Sequence, residues 1–94
     1  MEPPILNLNR IFRALGDPAR RIMIQRLADG PQSVTELSCD LTISLTAVMQ
    51  HLQMLEEAGL VSTRKVGRVR MCRLHPQALV PATGWIGTLS REAA

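Results

Sequence analysis

The chain has 94 residues, of which 46% are hydrophobic, 20% are charged and only 2% are aromatic. This length is enough for one hydrophobic core, and it excludes most enzymes that are built from two lobes. With one Phe, one Trp and no Tyr, the core has to consist of aliphatic side chains, which favours helices packed on helices over a β-sandwich. The formal net charge of +3 is compatible with a polyanionic partner.

The sequence indicates a cytosolic protein without a membrane anchor. We find no charged leader followed by an apolar stretch and a small-residue cleavage site. No apolar run approaches the roughly 20 residues that are needed to cross a bilayer. The two cysteines, Cys39 and Cys72, are therefore expected to be reduced thiols, most simply small buried side chains, rather than a disulfide framework.

The apolar spacing in the first third of the chain predicts two helices. The first is expected over Asn7–Leu15, after an irregular arm at residues 1–6 that contains two prolines. The second is expected to begin with Asp17 as its N-cap and Pro18 at the first helical position, and to end before Gly30. Its apolar face is expected to consist of Ile22, Ile24, Leu27 and Ala28.

The next two segments predict a helix-turn-helix. Ser33 and Glu36 have the spacing of a capping box, and they open a short third helix that ends near Leu41. Ser44 is a second N-cap, and the fourth helix that it opens ends at Ala58–Gly59. Two helices joined by so short a turn must cross steeply. The expected inward positions are Val34, Leu37 and Leu41 in the third helix and Ala47, Val48, Leu52 and Leu55 in the fourth.

After the fourth helix the hydrophobic period becomes alternating, which predicts a two-stranded hairpin over residues 60–74 around Gly67. A last helix is expected over Pro76–Leu89, and Pro81 leaves open a start only after that residue. The alternation in the second strand places Val69, Met71 and Arg73 on one face and Arg68, Arg70 and Cys72 on the other.

The charges are distributed unevenly along the chain. Residues 1–32 carry five Arg and three acids, residues 33–58 four acids and no Lys or Arg, and residues 59–75 five basic residues and no acid. Like charges on one short ribbon repel one another, and a line of phosphates would neutralise them. A solvated hairpin whose cations only protect its edges is the alternative. The five basic residues are Arg64, Lys65, Arg68, Arg70 and Arg73.

The fourth helix carries no charged residue before its last turn, apart from His51 if it is protonated. Such a helix reads DNA through hydrogen bonds and apolar contacts. Gln50 can pair with adenine. The apolar groups of Leu45, Thr46 and Met49 suit the thymine methyl, which predicts A·T pairs in the half-site. Ser44 either only caps the helix or also meets a phosphate, and His51 either meets a phosphate or makes a structural hydrogen bond. The expected exposed face consists of Leu45, Thr46, Met49, Gln50 and Gln53.

Three segments carry a resemblance to a known family: ALGDPARR at 14–21, AVMQHL at 47–52 followed by LEEAGLV at 55–61, and RKVGRVR at 64–70. Together, and in this order, they resemble the ArsR/SmtB family of dimeric winged-helix repressors, and the resemblance runs from about Leu8 to Trp85. It implies a mainly helical α-α-α-α-β-β-α fold, a winged helix-turn-helix. It also implies that residues 1–94 form one domain whose terminal helices dimerise and place two recognition helices in successive major grooves of a palindromic operator.

The resemblance and the residue chemistry together define an expected DNA interface and an expected dimer interface. The family often has a small polar residue where Met49 stands, so no operator sequence is implied. The first and last helices present more apolar surface than so small a fold can bury, although Trp85 could instead close the core of one chain. The expected DNA-binding residues are Ser44, Thr46, Met49, Gln50, Gln53, Arg64, Lys65, Arg68 and Arg70. The expected dimer interface consists of Leu8, Ile11, Phe12, Trp85, Ile86 and Leu89.

The resemblance also raises the question of a metal, because the family is known for metal sensing. Ser33 and Thr35 occupy the positions of the cysteines in the family's third-helix site, and hydroxyls are poor ligands for soft metals. The family's site on the last helix needs acids and histidines, and only His75 and Glu92 flank that helix here. We expect no metal and no cofactor, with an arrangement outside the family's pattern left open. The effector is unknown: thiol oxidation, an apolar ligand at the dimer seam, and no ligand at all remain open.

These observations favour a dimeric, sequence-specific regulator of transcription, most simply a repressor, that binds double-stranded operator DNA. The alternative is a winged-helix module that binds only protein. The acidic middle segment and the uncharged fourth helix favour that alternative. The basic hairpin over residues 60–74, which is the wing of such a fold, argues against it. An enzyme is not expected, since the sequence shows no nucleophilic triad, phosphate loop or metal cluster.

Overall fold

Residues 4–90 are the part of the chain that the computed structural model describes, with side chains from residue 7 onward. They form a mainly helical fold with a small antiparallel sheet, which confirms the expected fold class. The elements are α1 (Pro4–Leu15), α2 (Pro18–Ala28), β1 (Gln32–Ser33), α3 (Val34–Leu41), α4 (Leu45–Glu57), β2 (Val61–Val66), β3 (Val69–Leu74), a 3₁₀ turn (Pro76–Leu79) and α5 (Val80–Leu89).

The three predicted N-caps are confirmed, and they explain where α2, α3 and α4 begin. A carboxylate oxygen of Asp17 accepts a hydrogen bond from the backbone N–H three residues on, at 3.1 Å. Ser33 and Glu36 bond reciprocally at 3.0 and 2.9 Å as a complete capping box, which lowers the pKa of Glu36. The hydroxyl of Ser44 accepts from the third N–H of α4 at 3.1 Å. Each cap satisfies a backbone donor that the helix itself leaves unpaired.

The turn between α3 and α4 fixes the steep crossing of the helix-turn-helix. Thr42 ends α3 in the left-handed region, with φ 56° and ψ 44°. The hydroxyl of Ser38 donates to the carbonyl oxygen of Ile43 at 2.5 Å, which holds the turn against the end of α3. The chain therefore reverses within three residues before α4 begins at Leu45.

The sheet has the strand order β1-β3-β2, and all of its pairs are antiparallel. β2 and β3 pair from Val61 with Leu74 to Val66 with Val69, which leaves Gly67 and one further residue as the turn of the hairpin. Gly67 has φ 64°, which suits the first central position of a type II′ turn. The expected hairpin is thus confirmed, and β1 is an additional strand that two residues are too short to reveal in the sequence.

The helices and the inner face of the sheet enclose a core that is almost entirely aliphatic. The sulfur of Cys72 is part of this core, from β3. Val48, Leu52 and Leu55 of α4 are fully buried, as the apolar spacing predicts, whereas Ala47 is only half-buried. The buried apolar residues are Ile11, Ala14, Met23, Leu27, Val34, Leu37, Val48, Leu52, Leu55, Ala58, Leu60, Val61, Cys72, Leu74 and Ala82.

The predicted apolar face of α2 is partly wrong. Leu27 is buried as expected, but its partner one turn earlier is Met23, and Ile22 is 43% exposed. Ile24 is half-buried and Ala28 is exposed. Apolar residues occur on several sides of this helix, so the spacing alone does not show which side meets the core.

Two helix boundaries also differ from the prediction. α1 begins at Pro4 rather than at Asn7, because proline is tolerated in the first turn, where the N–H would have no helical partner. The first three residues of the expected arm lie outside the described residues. The last segment is a 3₁₀ turn followed by α5, and Pro81 lies in the first turn of α5 for the same reason.

Candidate nucleic-acid interface

The outer face of α4 is fully available to a partner. All five side chains that the spacing places outward are exposed, while the three on the opposite side, Val48, Leu52 and Leu55, are fully buried. A shallow groove follows this outer face. The groove is lined by Thr46, Met49, Gln50, Gln53, Glu56 and Glu57.

The two ends of this face differ in charge. At the C-terminal end, Gln53 donates to a carboxylate oxygen of Glu57 at 3.4 Å, and Glu56 lies beside it. At the N-terminal end, Thr46 is exposed and Ser44 keeps its hydroxyl on the cap. Phosphates avoid carboxylates, so the N-terminal half of α4 is the half that fits against nucleic acid.

A glutamate at the end of α4 is connected to an arginine of the hairpin through a threonine. Arg70 donates to the hydroxyl of Thr63 at 3.0 Å, and that hydroxyl donates to a carboxylate oxygen of Glu56 at 3.4 Å. The contact ties the inner face of the wing to the C-terminal half of α4.

The cations of the wing lie on two faces rather than along one ribbon. Residues that pair across an antiparallel ladder share a face. Lys65 is opposite Arg70, and both lie on the same face of the sheet as Thr63, which is the face that turns toward α4. Arg64 and Arg73 have the opposite parity and lie on the outer face of the sheet. The expected set of wing residues is therefore divided, with Arg64 on the other side from Lys65 and Arg70.

A cleft of about 360 Å³ separates the wing from the helix-turn-helix. It brings Met49 of α4 together with Arg68 and Arg70 of the wing, three residues that the sequence predicts for DNA binding. Thr35, which sequence reasoning considered only as a replaced metal ligand, also lines it from the first turn of α3. The lining residues are Ser33, Val34, Thr35, Leu45, Met49, Arg68, Val69 and Arg70.

The expected dimer residues do not form one uniform surface. Ile11 is 1% exposed within a single chain, so its assignment to the interface is wrong: a side chain packed inside one core has no surface left for a partner. Leu8 and Phe12 are half-buried against the core, and Phe12 meets Trp85 edge to face with ring centroids 5.5 Å apart. Trp85 itself is still 49% exposed. The exposed apolar residues of α5 are Val80, Trp85, Ile86 and Leu89.

The two thiols have different environments. Cys72 is completely buried, and burial together with the charge of Glu56 raises its pKa to about 11, while Arg70 acts in the opposite direction. Cys39, on α3, is exposed, so the expected burial holds for Cys72 and is wrong for Cys39. Within residues 4–90, no three His, Cys, Asp or Glu side chains are grouped so that they could hold a metal ion. No helix in this described range is long and apolar enough to cross a membrane.

Comparison with known proteins agrees with this geometry. Residues 17–63 match the profile of the bacterial regulatory protein, arsR family. The chain is 45% identical to the HTH-type transcriptional regulator Rv2034 of Mycobacterium tuberculosis, over 76% of this chain and 66% of that relative, so it spans just under two thirds of the relative's length. It is 34% identical to the uncharacterized HTH-type transcriptional regulator YuzN of Bacillus subtilis, over 85% of this chain and 96% of YuzN.

A solved structure extends the similarity to the whole fold. The crystal structure of the ArsR family transcriptional regulator RHA00566 superposes with a TM-score of 0.85 at 35% identity, covering 97% of this chain and 94% of that one. The wing, the helix-turn-helix and the α1–α5 pair described above thus occur together in a protein that is named as a transcriptional regulator. The chain belongs to the arsR family of bacterial regulatory proteins, a class of DNA-binding transcription regulators and not of enzymes.

Proposed function

We propose that the protein is a homodimer that binds a specific operator in double-stranded DNA, with α4 in the major groove and the wing on the adjacent backbone. The observation that carries this proposal is the cleft in which Met49 of α4 lies beside Arg68 and Arg70 of the wing. A neutral helix that offers base contacts and a cationic ribbon that offers phosphate contacts are thereby held side by side.

Base recognition is assigned to the N-terminal half of α4. Gln50 is exposed and can make a two-point contact with adenine, while Thr46 and Met49 present methyl groups to thymine. Gln53 donates to Glu57 in the free protein, so it contributes less to base recognition. The carboxylates at the far end of the helix keep that end away from the backbone. A half-site rich in A·T pairs follows from this chemistry.

Backbone contacts are assigned to the inner face and the tip of the wing. Lys65, Arg68 and Arg70 lie on the side that turns toward α4 or at the turn itself, so they can reach the duplex that α4 enters. Arg64 lies on the other face and reaches at most a flanking phosphate. Such contacts give affinity and orientation without sequence information.

Dimerisation is assigned to the apolar surface of α5 with the adjoining part of α1. The exposed side chains of Trp85, Ile86 and Leu89 form an apolar patch on a single chain, and a two-fold partner would cover it. A two-fold dimer presents two recognition helices, which suits a palindromic operator. Occupancy of such a site within a promoter acts most simply as repression, in the cytoplasm where the DNA is.

The test begins with the selection of duplexes from a random library by the wild-type protein, followed by titration of the enriched duplex and a scrambled one. A variant with Arg68→Ala and Arg70→Ala should weaken binding to both duplexes alike. Gln50→Ala should bring the two affinities closer together by about tenfold. Arg73→Ala is the matched control, because it removes one cation of the same hairpin from the outer face, and it should change little.

Three results would contradict the proposal. The first is a wild-type protein that enriches no duplex, as the protein-only module would predict. The second is DNA affinity that survives the loss of Arg68 and Arg70. The third is an Arg73→Ala variant that weakens binding as much as the loss of Arg68 and Arg70 does.

A further inference from the structure

The motif Ala14–Arg21 contains two adjacent arginines that the proposed DNA interface does not use. Both side chains reach back from α2 to the end of α1. Arg20 donates from Nε to the carbonyl oxygen of Ala14 at 2.6 Å and from Nη2 to that of Arg13 at 3.1 Å. Arg21 donates to the carbonyl oxygen of Leu15 at 2.7 Å. Together they bond carbonyl groups at the C-terminus of α1, where a helix leaves acceptors without partners; of the three, that of Arg13 also accepts from the N–H of Gly16 at 3.2 Å.

Only one of the two arginines continues to the recognition helix. Nη1 of Arg20 lies 3.3 Å from Nδ1 of His51 on α4. A guanidinium has donors and no acceptor, so Nδ1 of His51 is the acceptor in this contact. Asp17, whose carboxylate accepts from the backbone N–H of Arg20, lies 3.9 Å from the same Nδ1. Arg20 thus joins the end of α1, the start of α2 and the side of α4.

The position of His51 on α4 explains why this contact can control the rotation of the helix. At about 100° per residue, His51 is a quarter turn from Gln50 and lies between the outer face and the buried side of the helix. Core packing of Val48 and Leu52 opposes displacement of α4 away from the core. A hydrogen bond to the flank additionally opposes rotation of α4 about its own axis. Recognition requires side chains to be placed within about 0.5 Å, so a small rotation moves Gln50 out of register.

The other end of the contact leads to the proposed dimer surface. The carbonyl of Arg13 that Arg20 holds belongs to the residue directly after Phe12. Phe12 packs edge to face on Trp85, with the ring planes inclined at 66°. These contacts therefore link the orientation of α4 to α1 and α5, the two helices through which two copies would associate.

We propose that Arg20 is a positioning residue for operator recognition: it fixes the rotation of α4 relative to the α1–α5 surface, and thereby the separation of the two recognition helices in a dimer. This inference rests on the proposed function. Arg20 makes its bonds within the protein, so it acts through His51 and α4 rather than through a phosphate.

The experiment compares Arg20→Lys with Arg21→Lys. Both variants keep the charge and remove one planar fork from the same helix end, and only Arg20 reaches α4. Affinity is measured for the enriched duplex and for duplexes with one base pair inserted or deleted between the half-sites. We expect Arg20→Lys to reduce the preference for the enriched spacing by about tenfold and Arg21→Lys to leave it within twofold. The slope of log affinity against log salt should be the same for both, because no phosphate contact is lost.

His51 supplies a second route if Arg20→Lys does not fold. His51→Ala removes the acceptor and should reproduce the loss of spacing preference. His51→Asn places an amide oxygen near the position of Nδ1 and should restore most of it. Thermal unfolding of each variant shows that the compared proteins are folded. In the double variant with Arg20→Lys and His51→Ala, the two effects should not add, since both remove the same bond.

The outcomes separate this inference from the proposed function. If the wild type enriches no duplex, both are overturned. If the wild type binds and Arg20→Lys retains the spacing preference as well as Arg21→Lys does, the inference alone is overturned. Additive effects of Arg20→Lys and His51→Ala would also overturn it, as would a shallower salt slope confined to Arg20→Lys.

Discussion

Lys65 and Arg70 lie directly opposite each other on the two strands of the wing, on the face that carries Thr63. Like charges at directly opposed positions destabilise a sheet by roughly 0.2–1 kcal/mol. The wing holds this pair where the proposed DNA backbone runs, so the repulsion of the free protein is relieved when a phosphate lies between the two cations. The Lys65–Arg70 pair therefore lowers the stability of the free protein and raises its affinity for DNA.

Replacing one cation of the pair should change stability and DNA affinity in opposite directions. Lys65→Thr removes the repulsion and introduces a residue that favours strands, so the free energy of unfolding should rise by up to about 1 kcal/mol. DNA affinity should fall, and the salt slope of binding should decrease by about 0.9 for the lost phosphate contact. Urea unfolding and a salt titration measure the two effects. Lower stability of Lys65→Thr would contradict the repulsion between Lys65 and Arg70. An unchanged salt slope would contradict the phosphate contact of Lys65.

The edge-to-face contact of Phe12 and Trp85 should matter more for assembly than for the fold of one chain. Trp85→Ala removes a half-exposed ring and a contact worth about 1 kcal/mol. We expect the dimer to dissociate at concentrations where the wild type stays paired, with the helical content retained. Sedimentation velocity across a dilution series measures this. Thr83→Ala, a change at an exposed polar residue of the same helix, is the control. An unchanged dimer in Trp85→Ala would remove this residue from the interface.

Acid should weaken the start of α2. The backbone N–H of Arg20 donates to Asp17 and lowers the pKa of this carboxyl below its ordinary value of 3.8, and the charge of Arg20 acts in the same direction. A lowered pKa means that the charged cap stabilises the fold above pH 3.8 and that this contribution is lost as the pH falls through the lower, folded value. Asp17→Asn keeps a neutral cap, so its thermal unfolding temperature should approach that of the wild type as the pH falls. A difference between the two unfolding temperatures that grows as the pH falls would contradict the stabilising role of the Asp17 carboxylate.

The two cysteines should react at very different rates. With a pKa near 11 instead of 9.0, Cys72 holds about 100-fold less thiolate at pH 8 than an ordinary thiol, and it is also shielded from solvent. Iodoacetamide should therefore label Cys39 first and Cys72 only after unfolding, as mass spectrometry of the peptides would show. Equal labelling of both cysteines in the native protein would contradict this. A thiol signal would thus have to begin at Cys39.

The parts of the fold that local chemistry determines were predictable from the sequence. Ser33 and Glu36, or Ser44 before an apolar stripe, define a helix start through bonds between near neighbours. The outward face of α4 and the hairpin around Gly67 follow in the same way from one period in each segment. In these places propensity, spacing and turn chemistry agree.

Most of the features that sequence reasoning missed depend on contacts between distant segments. Met23 rather than Ile22 is buried because of what packs on α2, and the burial of Ile11 removes it from the expected interface for the same reason. The separation of Arg64 from Lys65 needs the strand register and the knowledge of which face meets α4. The bond from Arg20 to His51 joins residues 31 positions apart, and no spacing rule reveals such a pair.

The most direct test of the central claim is the binding of the wild-type protein to an enriched duplex, with stoichiometry from sedimentation and affinity measured across a salt series. We predict two chains per duplex and a log-log salt slope of about 5 to 9, as expected for six to ten phosphates neutralised by a dimer. One chain per duplex, or an affinity that does not change with salt, would contradict the claim that a paired set of recognition helices and cationic wings binds operator DNA.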